Sequence, residues 1–349
     1  MRVVVVGATG NVGTSTVQAL AADPRITSIL GLARRQADLD IDKAEWAKAD
    51  VTRDDLAALF RGADVVVHLA WLFQPTRNPW VTWRNNVLGS ERVFRAVVDA
   101  GVPALVYSSS VGAYSPSDKE HRRDESWPTH GWPEAAYSRE KAYVERLLDG
   151  VEAEHPGLRA VRLRPGFIFK REAATGQRRL FGGPLVPGSL VRPGLIPVFP
   201  DIPDLAFQAL HSSDAGEAFR LAVTGEARGA FNVAAEPVID AAELAGMFGA
   251  RRVPVPAAGA RAALAAAWRL GLVPASPYLF DLVLRAPIMD TARARDELGW
   301  TPERSGTSAM REFLEGLREG AGMETPPLAP ETSGPLRLRE LMTGIGRRP

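Results

Sequence analysis

Val3-Val4-Val5-Val6-Gly7-Ala8-Thr9-Gly10-Asn11-Val12-Gly13 joins a short β-branched run directly to a glycine turn and to the start of an amphipathic stretch at 12–22. A strand that ends on glycines spaced GxxGxxG and passes at once into a helix gathers backbone N–H groups at a helix N-terminus, which makes a cradle for an anion. In that context the turn predicts binding of a dinucleotide pyrophosphate. The plain alternative is a generic strand-to-helix turn.

Outward from this stretch the same alternation continues. Ser28–Leu32, Val65–Ala70, Ala104–Ser108 and Ala160–Arg164 read as buried strands, with amphipathic segments at 53–61, 80–100 and 134–149. This predicts an α/β fold, a doubly wound parallel Rossmann sheet with crossover helices. After Pro165 the rhythm breaks into Gly182-Gly183-Pro184, Pro187-Gly188, Arg192-Pro193-Gly194 and Pro197, which reads as lid or substrate-side structure. Helical patterns return at 212–224 and, after a short strand at Ala230–Val233, continue to about residue 318. The expected division is a dinucleotide-binding domain at 1–168 plus 206–234, and a smaller, mostly helical C-terminal substrate domain at 169–205 and 235–320. A tail at 321–349 follows, aperiodic from Met323 and read as surface-draped or loose.

Composition narrows the function. The 349 residues are 46% hydrophobic and 24% charged, which is enough to bury a large core. Lys and Arg total 42 against 41 Asp and Glu, leaving no global field for nucleic acid or an anionic membrane, and neither is expected as a partner. The absence of cysteine excludes disulfides, thiolate metal sites and a cysteine nucleophile, and fits a reducing, cytoplasmic compartment with no metal site. The first apolar run is too short for a signal-peptide core, and the stretch from Val255 to Ala275 is broken by Arg261, Arg269 and prolines. Neither export nor a membrane span is expected.

Coenzyme choice is read near the end of the second strand, where an acid about 20 residues beyond the glycines would hold the NAD ribose hydroxyls. Counting from Gly13 reaches Ala33, followed by Arg34 and Arg35, and the next acid is Asp38. Two guanidiniums there suit a 2′-phosphate, so NADP is preferred, with NAD as the alternative. Asp50-Val51 ends the third strand, where the carboxylate would meet the adenine amino group or simply cap a helix with Thr52.

Tyr137 and Lys141 stand four residues apart, on one face of a helix. A tyrosine with the ordinary pKa of about 10 is a poor acid or base near neutrality, and a neighbouring ammonium lowers it. Upstream, Ser108-Ser109-Ser110 ends the fifth strand at the carboxyl edge of a parallel sheet, where ligands bind and a hydroxyl can orient a substrate carbonyl.

With these pieces in order the chain resembles the extended short-chain dehydrogenases/reductases, also called the NAD-dependent epimerase/dehydratase family, over roughly 1–318. Besides the glycine turn, Asp50-Val51 and Tyr137/Lys141, the resemblance rests on Val67-His68-Leu69-Ala70, Asn85-Asn86-Val87-Leu88-Gly89, Ser108 to Tyr114 and Asp124-Glu125 to Pro128. Leu163-Arg164-Pro165-Gly166, His211 to Ala215, Asp290 to Ala294 and Glu297 to Pro302 complete it. It implies Tyr137 as acid/base, Lys141 as its pKa partner, Ser110 as the substrate-orienting hydroxyl and Asn86 as a cofactor- or site-organising amide. It further implies cofactor contacts from Leu69, Ala70, Ser108, Pro165 and Phe167. Val111-Gly112 follows Ser110 where nucleotide-sugar dehydratases of the family carry an acidic pair, which disfavours that reaction.

The function expected is therefore an NADP(H)-dependent reductase of a small-molecule carbonyl, or the reverse dehydrogenase. Trp71, Trp80, Trp83, Trp127 and Trp132 fall in segments that border the family's site and would suit an apolar or aromatic substrate, although each one singly reads as packing. The alternatives are a nucleotide-sugar epimerase, whose diphosphate Arg171, Arg178, Arg179 and Arg192 would serve, and a non-catalytic dinucleotide sensor, which the retained Tyr137 and Lys141 oppose. The helices at 80–100 and 134–149 form a dimer interface in many relatives, which makes a homodimer one option while the sequence leaves the oligomeric state open.

Overall fold

Val3 to Val6 are at most 2% exposed, so β1 (Arg2–Val6) is covered on both faces, as the continuous valine run requires of a central parallel strand. The computed structural model describes residues 1–330 except 36, 38, 75, 184–187 and 189–190. Asp38, Pro184, Pro187 and the segment 331–349, which entered the sequence reading, lie outside the described residues.

In chain order β1 is followed by α1 (Asn11–Ala22), β2 (Ser28–Ala33), β3 (Ala44–Lys48), α2 (Leu56–Phe60) and β4 (Val65–His68). Then come α3 (Pro79–Trp83), a wider π-type turn at Arg84–Leu88, α4 (Gly89–Asp99), β5 (Ala104–Ser108), β6 (Arg122–Arg123) and α5 (Ala136–Glu154). β7 (Arg159–Pro165), β8 (Phe167–Phe169), α6 (Ala174–Gln177), β9 (Val198–Asp201), β10 (Ala206–His211), α7 (Ser212–Thr224) and β11 (Gly229–Val233) lead into the C-terminal part. That part holds β12 (Val238–Asp240), α8 (Ala241–Phe248), β13 (Arg251–Pro254), α9 (Ala257–Arg269), α10 (Pro277–Arg285), β14 (Ile288–Met289), α11 (Ala292–Leu298) and α12 (Gly306–Glu319).

The main sheet has seven strands in the order β11-β7-β5-β4-β1-β2-β3, every neighbour parallel. The order reverses between β1 and β4, which is the switch point where α/β sheets bind ligands. One face buries Val3, Val5, Val67 and Val106 with α1 and α7, and the other buries Val4, Val66, Leu105 and Tyr107 with α2, α4 and α5. Small sheets β12-β10-β8, β13-β9 and β14-β6 lie outside the main one.

Differences from the sequence reading have local causes. The third strand was placed only by its end at Asp50-Val51, because β3 is a partly exposed edge strand of mixed composition. α2 starts at Leu56, where Asp55 accepts from the Ala58 N–H, so Asp50 is not the helix cap. β4 stops at His68, where its last partner Val6 ends β1 and the Leu69 N–H makes the final bond to Val6 O. The tail is not loose at its start. Thr325 and Leu328 are 1% and 5% exposed, and the Leu328 and Ala329 amides both donate to Thr325 O. Among the described residues no helix is long and apolar enough to cross a membrane, and no group of His, Asp and Glu gathers to hold a metal ion.

His68, buried at the end of β4, bonds Ser90 Oγ through Nε2 at 2.8 Å and stacks on Tyr107. Burial, with the Lys141 charge adding to it, lowers its pKa from 6.5 to about 3. The unfolded chain therefore binds a proton between pH 6.5 and 3 that the folded chain refuses, and stability falls as pH drops through that window. One such proton gives a slope of about 1.4 kcal/mol per pH unit. His68→Gln, which keeps a donor for Ser90 but does not titrate, is expected to flatten the acid limb of the unfolding free energy measured by denaturant titration. An unchanged limb would assign the acid sensitivity to other groups.

Candidate active site

Backbone crowding builds the glycine turn after β1. Gly7 takes φ +90°, and a Cβ there would meet the Ala70 amide at 2.6 Å, while one on Gly13 would run into the Gly7 carbonyl. Gly10 differs. Its added Cβ would meet only Gly7 O, at 3.6 Å, and otherwise enters open space. That space is a cleft of about 790 Å³, counted out to its mouth and lined by Gly7, Thr9, Gly10, Arg34, Arg35, Val51, Leu69, Ala70, Trp71, Asn86 and others. No side chain caps the first turn of α1, so its free amides face a ligand. An extended diphosphate fits this cradle.

Asn11, Val12 and Gly13 run on from the cleft into α1, and Asn11 Nδ2 donates to Ile168 O at 3.2 Å. Asp50 beside Val51 accepts from the Thr52 amide and hydroxyl at 3.0 and 2.7 Å, a closed turn. At the mouth Arg34 and Arg35 are both exposed, and among the described residues neither is paired with a carboxylate. Arg34 Nη1 reaches Asn85 Oδ1 at 3.5 Å, and Arg35 Nη2 reaches Pro326 O at 3.3 Å. Burial, and then the Arg34 charge, lowers the Arg35 pKa, and against burial the Arg34 charge in turn helps the Thr52 bonds to lower that of Asp50.

Beyond Trp71 the Tyr137 hydroxyl donates to Ser110 Oγ at 2.9 Å, and Ser110 Oγ accepts a second bond from the Gly112 amide at 2.9 Å. The serine follows β5, the tyrosine opens α5, and Gly112 lets them meet, because a Cβ there would lie 2.7 Å from the Tyr137 ring. Lys141, one turn along α5, donates to Ser108 O at 2.7 Å, with its Nζ 3.5 Å from the Trp71 ring centre. Trp71 thus joins the coenzyme cleft to the tyrosine-lysine pair.

The lowered tyrosine pKa expected from the sequence is not present in this arrangement. Burial pushes Tyr137 up to about 12 against the Ser110 hydrogen bond. The cause lies in rings that spacing could not reveal: Phe73 stacks on Tyr137 at 5.1 Å and 12°, Trp71 meets it edge-on, and Phe181 packs on Phe73. Burial likewise lowers the Lys141 pKa well below its ordinary value, against Glu145 and Glu140.

Asn86 organises this loop. Its Oδ1 accepts from Leu72 N at 2.7 Å, and its Nδ2 donates to Leu72 O at 2.9 Å and to Glu140 Oε2 at 2.7 Å. Glu140, missed in the sequence, also accepts from Thr82 Oγ1 at 2.6 Å. Its only signal was a charged residue on the buried side of an otherwise legible helix. Ser108, Ser110, Tyr137, Lys141, Pro165 and Phe167 are not among the residues that line the cleft; Tyr137 and Lys141 meet it through Trp71. Phe167 packs edge-on against Phe207, with Gly166 bonded back to Val233 O. Of the tryptophans only Trp71 reaches the cleft: Trp80 is exposed, Trp83 packs on Tyr143, Trp127 donates to Ser115 O and lies under Arg123, and Trp132 sits before α5.

A family model described as the NAD dependent epimerase/dehydratase family matches residues 3–177. The chain belongs to that family. An uncharacterized Mycobacterium tuberculosis protein is 25% identical over 93% of this chain, which spans only 31% of that relative's length. A 4-hydroxy-2-methyl-3-oxo-4-farnesyl-3,4-dihydroquinoline-1-oxide ketoreductase of Stigmatella aurantiaca is 31% identical over 48% of this chain and 51% of its own. The decarboxylating sterol-4-alpha-carboxylate 3-dehydrogenase of Saccharomyces cerevisiae is 32% identical over 43% of this chain and 42% of its own. Among solved structures, MoeE5 with UDP-glucuronic acid and NAD superposes with a TM-score of 0.64 at 20% identity, covering 91% of this chain and 99% of its own. The UDP-glucose 4-epimerase of Thermotoga maritima gives 0.66 at 19% identity, covering 91% and 99%. At that identity the likeness establishes the fold.

For this family member, Gly10→Val is expected to abolish dinucleotide binding by calorimetry while the thermal transition persists, since the new side chain enters the cleft and not the core. Retained affinity in the folded variant would make the turn purely structural.

Proposed function

We propose that the chain is an NADP(H)-dependent oxidoreductase that reduces the carbonyl of an apolar small molecule, or oxidises the corresponding alcohol. The observation that carries this reading is Trp71, which lines the cleft of Gly10, Arg34 and Arg35 and also meets Lys141 and the Tyr137 of the Tyr137–Ser110 pair, the two guanidiniums having no salt-bridged carboxylate among the described residues. Gly7, Thr9, Gly10 and the first amides of α1 would hold the diphosphate, Val51, Leu69 and Ala70 the adenosine, and Arg34 and Arg35 the 2′-phosphate. The nicotinamide, when bound, supplies or takes up the hydride.

Both acceptor positions of Ser110 Oγ are taken, so its own proton is the group left to donate to a substrate oxygen. Tyr137, held up at about 12, keeps its proton until negative charge develops on that oxygen, then delivers it; in the oxidative direction it takes the proton back. Lys141, tethered to Ser108 O, steadies the phenolate left behind. Trp71, Phe73 and Phe181 exclude water and offer the substrate aromatic walls.

Support for oxidoreduction over sugar-nucleotide chemistry comes from Gly112 and from Arg171, whose charge is paired with Glu319. Arg178 and Arg179 donate to the Gly183 and Pro327 carbonyls, and Arg192 is exposed. Gly112 has no room for an acidic side chain beside Tyr137. The relatives named as a ketoreductase and a 3-dehydrogenase point the same way, one name carrying a farnesyl group and the other a sterol. On this reading 1–168 and 206–234 form the dinucleotide side, and 169–205 with 235–320 the substrate side. Exposed Trp80, Leu88 and Tyr143 support a homodimer through the helices that carry them.

Tyr137→Phe is expected to cost about 10²–10⁴ in turnover and to leave NADPH affinity nearly unchanged, because the ring still packs and only the proton is lost. Wild-type turnover would end the acid/base assignment. Replacing Arg34 and Arg35 with alanine is expected to reduce the NADPH over NADH preference by at least about tenfold, since charged hydrogen bonds contribute roughly 1.5–3 kcal/mol each. An unchanged ratio in fluorescence titrations would overturn the NADP assignment.

A further inference from the structure

The start of the C-terminal segment is built into the cleft. Pro327 lines it beside Gly10, Arg34, Arg35 and Asn85. Pro326 O accepts from Arg35 Nη2 at 3.3 Å, and Pro327 O accepts from Arg179 Nη2 at 3.0 Å, so successive carbonyls hold a guanidinium on the coenzyme side and one on the substrate side. Consecutive prolines suit this task, because they fix φ and offer acceptors without a competing N–H. The segment is anchored below by the buried Thr325 and Leu328, whose turn is closed by the Leu328 and Ala329 amides on Thr325 O. It fits closely against its neighbours: a Cβ on Gly176 of α6 would stand 3.1 Å from Pro327 O, and one on Gly322 would stand 2.6 Å from Leu328 O.

We propose that Thr325–Leu328 forms the outer wall of the coenzyme cleft, orienting Arg35 toward the phosphorylated ribose and slowing release of the coenzyme. The inference rests on the reading of this cleft as an NADP(H) site. Arg35 is exposed and has no carboxylate partner among the described residues, so the Pro326 carbonyl sets where its remaining donors point. A neutral carbonyl holds the guanidinium in place without cancelling its charge, which leaves it available to a dianion. A wall that must part for the coenzyme to leave acts chiefly on the dissociation rate.

The test uses the full chain and reads binding kinetics, not turnover. NADPH and NADH displacement are followed by stopped-flow fluorescence in the wild type, in Leu328→Asp, which puts a charge in the anchor's buried seat, and in the double variant Pro326→Gly, Pro327→Gly, which keeps the anchor and loosens the carbonyls. NADPH release is expected to quicken by about tenfold or more in both variants, and NADH release by less, because only NADPH uses Arg35. In the wild type, hydrogen exchange at the Leu328 and Ala329 amides is expected to slow when NADPH is added. Unchanged NADPH release in the double variant, or exchange in the wild type indifferent to bound NADPH, overturns the wall while leaving the coenzyme assignment intact. Failure of the wild type to bind NADPH at all overturns the coenzyme assignment and the wall with it.

Discussion

The carboxylate of Glu140, 1% exposed, joins the two halves of the site. A buried carboxylate is tolerated only when its oxygens are satisfied, and here each takes a short bond, one from Thr82 and one from Asn86. Burial raises its pKa while those two bonds pull it down. Asn86 then grips both the amide and the carbonyl of Leu72. The residue next to Lys141 on α5 therefore sets, through Asn86, where Leu72 and the flanking Trp71 and Phe73 lie. Those rings cover Tyr137 and Lys141 and shape the inner end of the cleft.

A second buried charge forms the floor. Glu145, fully buried one turn beyond Lys141, takes two bonds from Arg164 and one from Ser109, which precedes Ser110. Arg164 passes on to the Tyr114 hydroxyl, and Tyr114 to Asn232. α5 is thus tied to the end of β5, to β7 and to β11 by a hydrogen-bonded network around the buried Glu145–Arg164 pair, with Arg162 at 3.8 Å from the same carboxylate. The loop that carries Ser110 has little freedom as a result, as a site that must hold a hydroxyl at 2.9 Å requires.

Most of the sheet was legible because its strands are two-sided valine and leucine runs, and the glycine turn because Gly7 and Gly13 answer to backbone contacts that no other residue permits. Tyr137 and Lys141 were legible from their spacing, Ser110 and Asn86 through the family resemblance, and the structure brings Tyr137 and Ser110 into contact. What was not legible depends on tertiary proximity. Glu140 and Phe73 drew no reading, and Pro326-Pro327 only that of an aperiodic tail, since nothing in their neighbours shows which distant element they meet. The tyrosine pKa failed for the same reason: sequence shows the ammonium four residues away and hides the rings that bury the phenol. β3 escaped because an edge strand needs neither alternation nor a continuous apolar run.

We propose that an NADP dinucleotide lies from the arginine pair at the cleft's mouth, past Trp71, to the Ser110–Tyr137 pair. A crystal structure of the protein with NADP⁺ tests it most directly. The account requires the diphosphate over the Gly10 turn at the N-terminus of α1, the 2′-phosphate against Arg34 and Arg35, and the nicotinamide within reach of Tyr137 and Lys141. A dinucleotide bound with its 2′-phosphate turned away from both arginines, or lodged outside this cleft, would contradict it.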